Sequence, residues 1–146
     1  MSRYRAFAIA LLLAAGSLPL RALEEKVPGP IEAEVLRVID GDTLEVRARI
    51  WLGIEVTTLL RLDGIDTPEL RGKCPAEREL ASRARAFLAA RIGAGPVLLS
   101  EVREDKFGGR VIAQAAAGGE DLAAALIAAG LARAYLGGAR EGWCGG

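Results

Sequence analysis

Residues 43 to 50, TLEVRARI, set Leu44, Val46, Ala48 and Ile50 against Glu45, Arg47 and Arg49. A period of two places the apolar set on one face of an extended chain, so this stretch predicts a strand with one side buried. Its neighbours have similar character. EAEVLRVI (32–39) carries Val35, Leu36, Val38 and Ile39, and residues 54–62 form a third β-rich run. Asp40-Gly41-Asp42 punctuates the first junction, and Trp51, Leu52 and Gly53 make the second.

The pattern changes after Leu62. Pro68 cannot continue a central ladder, so the polar stretch 63–69 is expected as a loop. A helix is predicted from about Pro75, a residue suited to a first turn, with Glu77 and Glu79 at its positive end. Leu80, Ala84, Phe87, Leu88 and Ile92 follow helical spacing and should face the core; Gly93 and Gly95-Pro96 stop the helix. Residues 97–103 and 110–114 are further strands around a glycine-rich turn, EDKFGG. A second helix is expected near 121–129, with Leu122, Ala125, Leu126 and Ala129 on one face and Gly130 as its cap. Five short strands with a helix after the third suit a mainly β fold, an OB-fold barrel with two or three helices. An unrelated α+β roll has the same content.

The chain has 146 residues, which suggests one domain, with 19 basic and 19 acidic side chains and no histidine. Its first 22 residues hold Arg3, Arg5 and Arg21, no acid, and the apolar run AFAIALLLAAGSLPL. This reads as a signal peptide cut after Ala22, with a secreted or periplasmic product. A retained membrane anchor is the alternative, but the run is shorter than the ~20 residues a spanning helix needs. Residues 23–32 then form an extended leader, and 33–136 the domain. Without residues 1–22 the chain carries 16 basic and 19 acidic groups, so global charge does not recruit nucleic acid. Phosphate binding depends on where the basic groups sit.

Cys74 and Cys144 form an even pair. In an exported chain this suggests one disulfide tying the tail, 137–146, back to the middle; two separate buried thiols are the alternative. The lack of histidine removes the commonest zinc ligand and general base. Carboxylates remain, and they favour a hard cation such as Ca²⁺.

LDGIDTPEL (62–70) concentrates them. Strand geometry brings Asp42, at the start of one hairpin strand, towards Asp66, just past the end of its partner. Two carboxylates held together repel unless a cation sits between them. Ca²⁺ resolves that conflict, with the Thr67 carbonyl and waters completing the shell. Glu69 would then lie behind a metal-associated water, Arg61 would face the same cavity, and Arg110 emerges from a different turn. Those groups suit attack on a phosphodiester. Taken singly, Asp42 and Asp66 are equally compatible with turns and caps.

Val38-Ile39-Asp40-Gly41-Asp42-Thr43, then Arg61-Leu62 with Gly64-Ile65-Asp66-Thr67-Pro68-Glu69, then Asp105-Lys106-Phe107-Gly108-Gly109-Arg110, resembles the thermonuclease (staphylococcal nuclease-like) family. GLARAY at 130–135 resembles the segment after its last helix, and the likeness spans about 33–136. It implies an OB-fold barrel and Ca²⁺-dependent hydrolysis of DNA and RNA to 3′-phosphorylated products. Asp42 and Asp66 would bind Ca²⁺ through side chains and Thr67 through its carbonyl. Glu69 would be the general base or water-orienting group, and Arg61 and Arg110 would polarise the phosphate. Lys106 would contact a terminal phosphate, Phe107 would line the substrate site, and Asp40 would support the metal loop.

The departures are specific. Phe107 replaces the family's tyrosine, and Gly108-Gly109 adds one residue before Arg110. A looped-out glycine keeps Arg110 aimed at phosphate, whereas a register change turns it away. The Trp51 hairpin is longer than in the family's prototype. Its carboxyl-terminal helix is missing, so the Cys74–Cys144 bond is expected to replace part of that packing. The product is expected to be a monomer with no membrane insertion after signal cleavage. Two other functions fit the same chain: a noncatalytic nucleic-acid-binding barrel, and a disulfide-bonded envelope domain that binds other proteins.

Overall fold

The computed structural model describes residues 25–145. The expected signal peptide, 1–22, lies outside them. In chain order the elements are β1 (Lys26–Val27), β2 (Ile31–Val38), β3 (Thr43–Trp51), β4 (Ile54–Leu62), β5 (Ile65–Asp66), α1 (Pro75–Ile92), β6 (Val97–Glu104), β7 (Arg110–Ala117), β8 (Glu120–Asp121), α2 (Leu122–Ala128) and β9 (Arg133–Ala134). Strands β6, β2, β3, β4 and β7 pair in that order, and β6 pairs with β7 to close the ring. All pairings in the ring are antiparallel except β4–β7. The result is the closed five-stranded barrel of an OB fold, with two helices among the described residues.

The alternation in β3 survives. Leu44, Val46 and Ala48 are buried, Arg47 and Arg49 are exposed, and Leu60 and Leu62 of β4 point inward beside them. Ile50 departs from the expected face. The register slips between Arg49 and Trp51 as the hairpin leaves the barrel, so Ile50, Trp51, Leu52 and Ile54 are all exposed. The extended leader takes part in the sheet. Lys26 and Val27 pair with Arg103 and Val102, and β2 starts at Ile31, so part of 23–32 is sheet.

Helix α1 packs its buried stripe into the barrel's core. Pro75 starts it, and Ala81, Ala84, Leu88 and Ile92 form a buried stripe. Leu80 and Phe87 are only partly buried against the core, because small Ala81 and Ala84 make the closest approach. Asp121 caps α2 by accepting from the Ala124 N–H at 2.7 Å, and Leu122, Ala125 and Leu126 face inward. Gly130, at φ 70°, ends that helix in the left-handed conformation that favours glycine.

The last pieces cross back over the barrel. Ile65 pairs with Ala134 and Asp66 with Arg133, so β9 joins the strand just before the TPEL loop. Cys74 and Cys144 form a disulfide with Cα atoms 5.9 Å apart, closing a separation of 70 residues. The tail is held by more than that bond. Arg133 stacks on Trp143 at 3.8 Å and donates to the Gly142 carbonyl at 3.0 Å, and the Tyr135 hydroxyl donates to Gly138 at 2.8 Å.

Candidate active site

Register decides where the arginines point. In the parallel β4–β7 pair, Leu59 lies beside Arg110 and Arg61 beside Ile112, while Leu60 and Leu62 face the core opposite Val111 and Ala113. Residues two apart on a strand share a face. Arg61 and Arg110 therefore stand on the same outer face of neighbouring strands. The additional glycine is absorbed before β7 starts. Gly108 and Gly109 both take φ near 69° in the turn, and Arg110 enters the strand in register with its neighbours.

A short-range contact explains Asp40-Gly41-Asp42. A Cβ at Gly41 would lie 2.9 Å from the Ala84 side chain and 3.2 Å from that of Thr67. Glycine lets the loop before β3 press against both α1 and the loop after β5. Asp42 and Asp66-Thr67 are thereby set on two touching loops, all three buried.

The Asp42 carboxylate pairs with Arg61 and accepts from the Thr43 hydroxyl at 2.9 Å. Its backbone N–H donates to Asp40 at 3.1 Å, which gives Asp40 its supporting place. Burial pushes the Asp42 carboxyl up to about 6; Arg61 works against that rise and the neighbouring charge of Asp40 adds to it. Arg61 also donates to the Ile65 carbonyl at 3.0 Å, so one guanidinium ties the loop before β3 to β5.

Arg110 pairs through Nε with buried Asp105. Burial would raise the Asp105 carboxyl, but the Arg110 hydrogen bond, the Phe107 N–H and the Arg110 and Arg61 charges outweigh it and hold it below the usual range. Arg103 makes a two-pronged contact with Asp63 at 2.8 Å on each oxygen, and that hydrogen bonding keeps Asp63 low. Phe107 is 73% exposed, with the Lys106 ammonium 5.0 Å from its ring centre and the Arg110 guanidinium 5.9 Å away. Arg61, Arg103, Lys106, Arg110, Arg140 and Tyr135 line one groove of about 1230 Å³. The groove is locally cationic on a chain whose charges balance.

Asp66 and Glu69 are engaged from a direction the sequence did not suggest. The Trp143 indole N–H donates to Asp66 Oδ2 at 3.0 Å, and Arg140 lies 3.3 Å from Asp66 Oδ1 and 3.4 Å from Glu69 Oε1. Behind them, buried Glu77 accepts from the Lys73 N–H at 2.9 Å and the Glu69 N–H at 3.4 Å, fixing the loop that carries Glu69. Arg140, Trp143, Glu77 and Asp105 were not singled out from the sequence as site residues. Only the shared disulfide pointed to the tail, and only a helix-start preference pointed to Glu77.

Donor chemistry favours a hard cation. Asp42 and Asp66 are buried carboxylates on touching loops, and the Asp42 anion is disfavoured where it stands, so a cation would relieve it. Cys74, Glu77 and Cys144 also bring three donor atoms within 4.8 Å of one another. Both sulfurs are consumed in the disulfide, so that group cannot act as a thiolate site.

The chain is thus a small OB barrel that sets two arginines on one outer face, one of them bonded to a buried acid of the neighbouring loop. The family model for staphylococcal nuclease homologues matches residues 59–141, more than half the chain, and the protein belongs to that family. The match begins within β4, and Asp42, which precedes it, meets Arg61 through the β3–β4 pairing. No curated protein matches the chain.

Proposed function

We propose that the protein is a calcium-dependent phosphodiesterase that hydrolyses DNA and RNA, with little sequence preference, to 3′-phosphorylated products. The observation that carries this reading is the placement of Arg61 and Arg110 on one face of adjacent strands, with Arg61 bonded to Asp42 and to the strand that bears Asp66.

Asp42 and Asp66, with the Thr67 carbonyl, would hold the ion. Bound Ca²⁺ supplies positive charge at the phosphoryl oxygens and binds water. Arg61 and Arg110 neutralise the charge that develops on the nonbridging oxygens. Asp105 grips Arg110 at Nε, leaving its terminal nitrogens as the pair suited to a phosphate. Glu69, on an exposed loop braced by Glu77, orients the attacking water and takes its proton. Lys106 meets a terminal phosphate, and exposed Phe107 offers a face for a base. Contacts directed at phosphate carry little base information, hence the low sequence preference.

We further propose export with residues 1–22 as the signal, 23–32 as the leader, 33–136 as the domain and 137–146 as the tail. The disulfide supports a secreted or periplasmic destination outside the reducing cytosol; the product is proposed to work as a monomer.

The test is timed cleavage of single-stranded DNA and RNA by the oxidised protein, with Ca²⁺ and with chelator, beside Arg110→Ala. Calcium-dependent turnover that disappears in the variant supports the reading. Nucleic-acid binding without turnover, from protein shown to be folded, replaces it with a noncatalytic binding barrel.

A further inference from the structure

Both oxygens of Asp66 are taken by the tail, and the two donors differ in kind. Trp143 offers a neutral N–H to Oδ2 at 3.0 Å. Arg140 brings a full positive charge to Oδ1 at 3.3 Å and reaches Glu69 at 3.4 Å with another nitrogen. A carboxylate has about four acceptor positions, so one neutral hydrogen bond leaves room and charge for a dication. A guanidinium leaves room but cancels charge. Neither residue is loosely placed: the Arg140 guanidinium lies 5.6 Å from the Tyr135 ring, Arg133 stacks on Trp143, and the next residue is bonded to Cys74 at the start of α1.

We infer that the tail is a working part of the active site: Trp143 is a positioning residue that orients Asp66 for the cation, and Arg140 is a built-in cation that a divalent ion must displace. The inference rests on the calcium reading above. In the ion-free protein Arg140 neutralises Asp66 and Glu69 together. When an ion takes Asp66, the guanidinium is released in the same groove as Arg61, Lys106 and Arg110, where a substrate phosphate is its natural partner. The tail thus performs two opposed tasks from residues three apart, which a purely structural clasp would not.

The test is calorimetric titration of the oxidised protein with CaCl₂ alone, so that no turnover is needed. Arg140→Gln should bind Ca²⁺ about three- to tenfold more tightly, because a positive charge beside the ion is removed. Trp143→Phe keeps an aromatic face for Arg133 but loses the N–H, and should bind about tenfold more weakly, as when an outer-shell partner of a metal ligand is removed. In a Trp51→Phe background the remaining indole, Trp143, should change emission as calcium saturates. Thermal melting of each variant without calcium separates binding effects from loss of fold, and Arg140→Lys, which keeps the charge, should stay near the wild-type affinity.

Opposite shifts from the two variants support the inference. Wild-type calcium binding that needs Asp42 but is unchanged in Arg140→Gln and Trp143→Phe overturns it and leaves the nuclease reading standing. If neither wild type nor Arg140→Gln binds calcium, the inference and the calcium reading fall together.

Discussion

Two charged regions of this barrel use the same residue types and reach opposite ends. On the outer face of the β2–β3–β4 sheet, Arg47 pairs with Glu34 and Glu55, and Arg49 with Glu32 and Glu55. Every partner there is 43% exposed or more, so water screens each pair and the charges cancel along the strands. Around the groove, Arg61, Arg103 and Arg110 pair with Asp42, Asp63 and Asp105, and those side chains are at most 29% exposed. Short aspartates set at strand ends and turns replace long glutamates set across strands. The guanidiniums are pulled towards one cavity and held there. The groove is lined by five basic and three acidic side chains, against two arginines and three glutamates on the ladder, and convergence and burial aim that surplus at one cavity.

The largest expected contrast between the two regions is catalytic. Under the proposed function, Arg61→Ala or Arg110→Ala should lower turnover by roughly 10²- to 10³-fold, the usual result of deleting a charged transition-state donor. Arg47→Ala on the ladder should leave turnover unchanged. Rates measured side by side check this, and equal losses would erase the distinction. Glu69→Gln should cut turnover by about 10²- to 10⁴-fold with little change in folding, which a melting curve beside the rate will show.

Packing gives the next largest effect. Gly41→Ala inserts a methyl group 2.9 Å from Ala84, so the loop must move off α1 and Thr67. Calcium affinity should fall together with melting temperature; a wild-type titration would mean that the two loops need not touch. Cleaving the Cys74–Cys144 bond, either by reduction or as Cys74→Ser/Cys144→Ser, should cost about 2–5 kcal/mol of stability and loosen Asp66 and Glu69. Denaturant melts of both forms measure it.

The smallest effect concerns pH. Arg103 holds Asp63 below its ordinary value, so its folded pKa is below the unfolded one. That contribution to stability is present above the unfolded pKa, near 4, and is lost as pH falls through the folded value. Asp63→Asn should lower stability uniformly in the neutral region, with the loss vanishing in acid, so the acid limb of the stability curve flattens. An unchanged acid limb would place the acid sensitivity elsewhere, for instance at Asp105, which is also held low.

Much of this molecule could be read before any coordinates. The alternation of TLEVRARI, the proline at 68 and the helical spacing from Leu80 to Ile92 are local signals, and local backbone geometry obeys them. The motifs also named Asp42, Arg61, Asp66, Lys106 and Arg110 as candidates, and Arg61, Lys106 and Arg110 do line one groove. Other features were not local. Whether Arg110 faced Arg61 across an additional glycine depended on how the 105–109 turn absorbed that residue, which only the β4–β7 register decides. The role of Gly41 came from an atom of α1 more than forty positions away. Arg140 and Trp143 belonged to a glycine-rich tail with no pattern of its own; they meet Asp66 because β9 pairs with β5 and a disulfide closes the remaining gap. The sequence by itself determined the main strands and helices, since those depend on neighbours a few residues apart, and it named the candidate side chains for chemistry. Tertiary structure alone decided which charges face each other and which acid is covered by which donor, because those depend on barrel closure and burial.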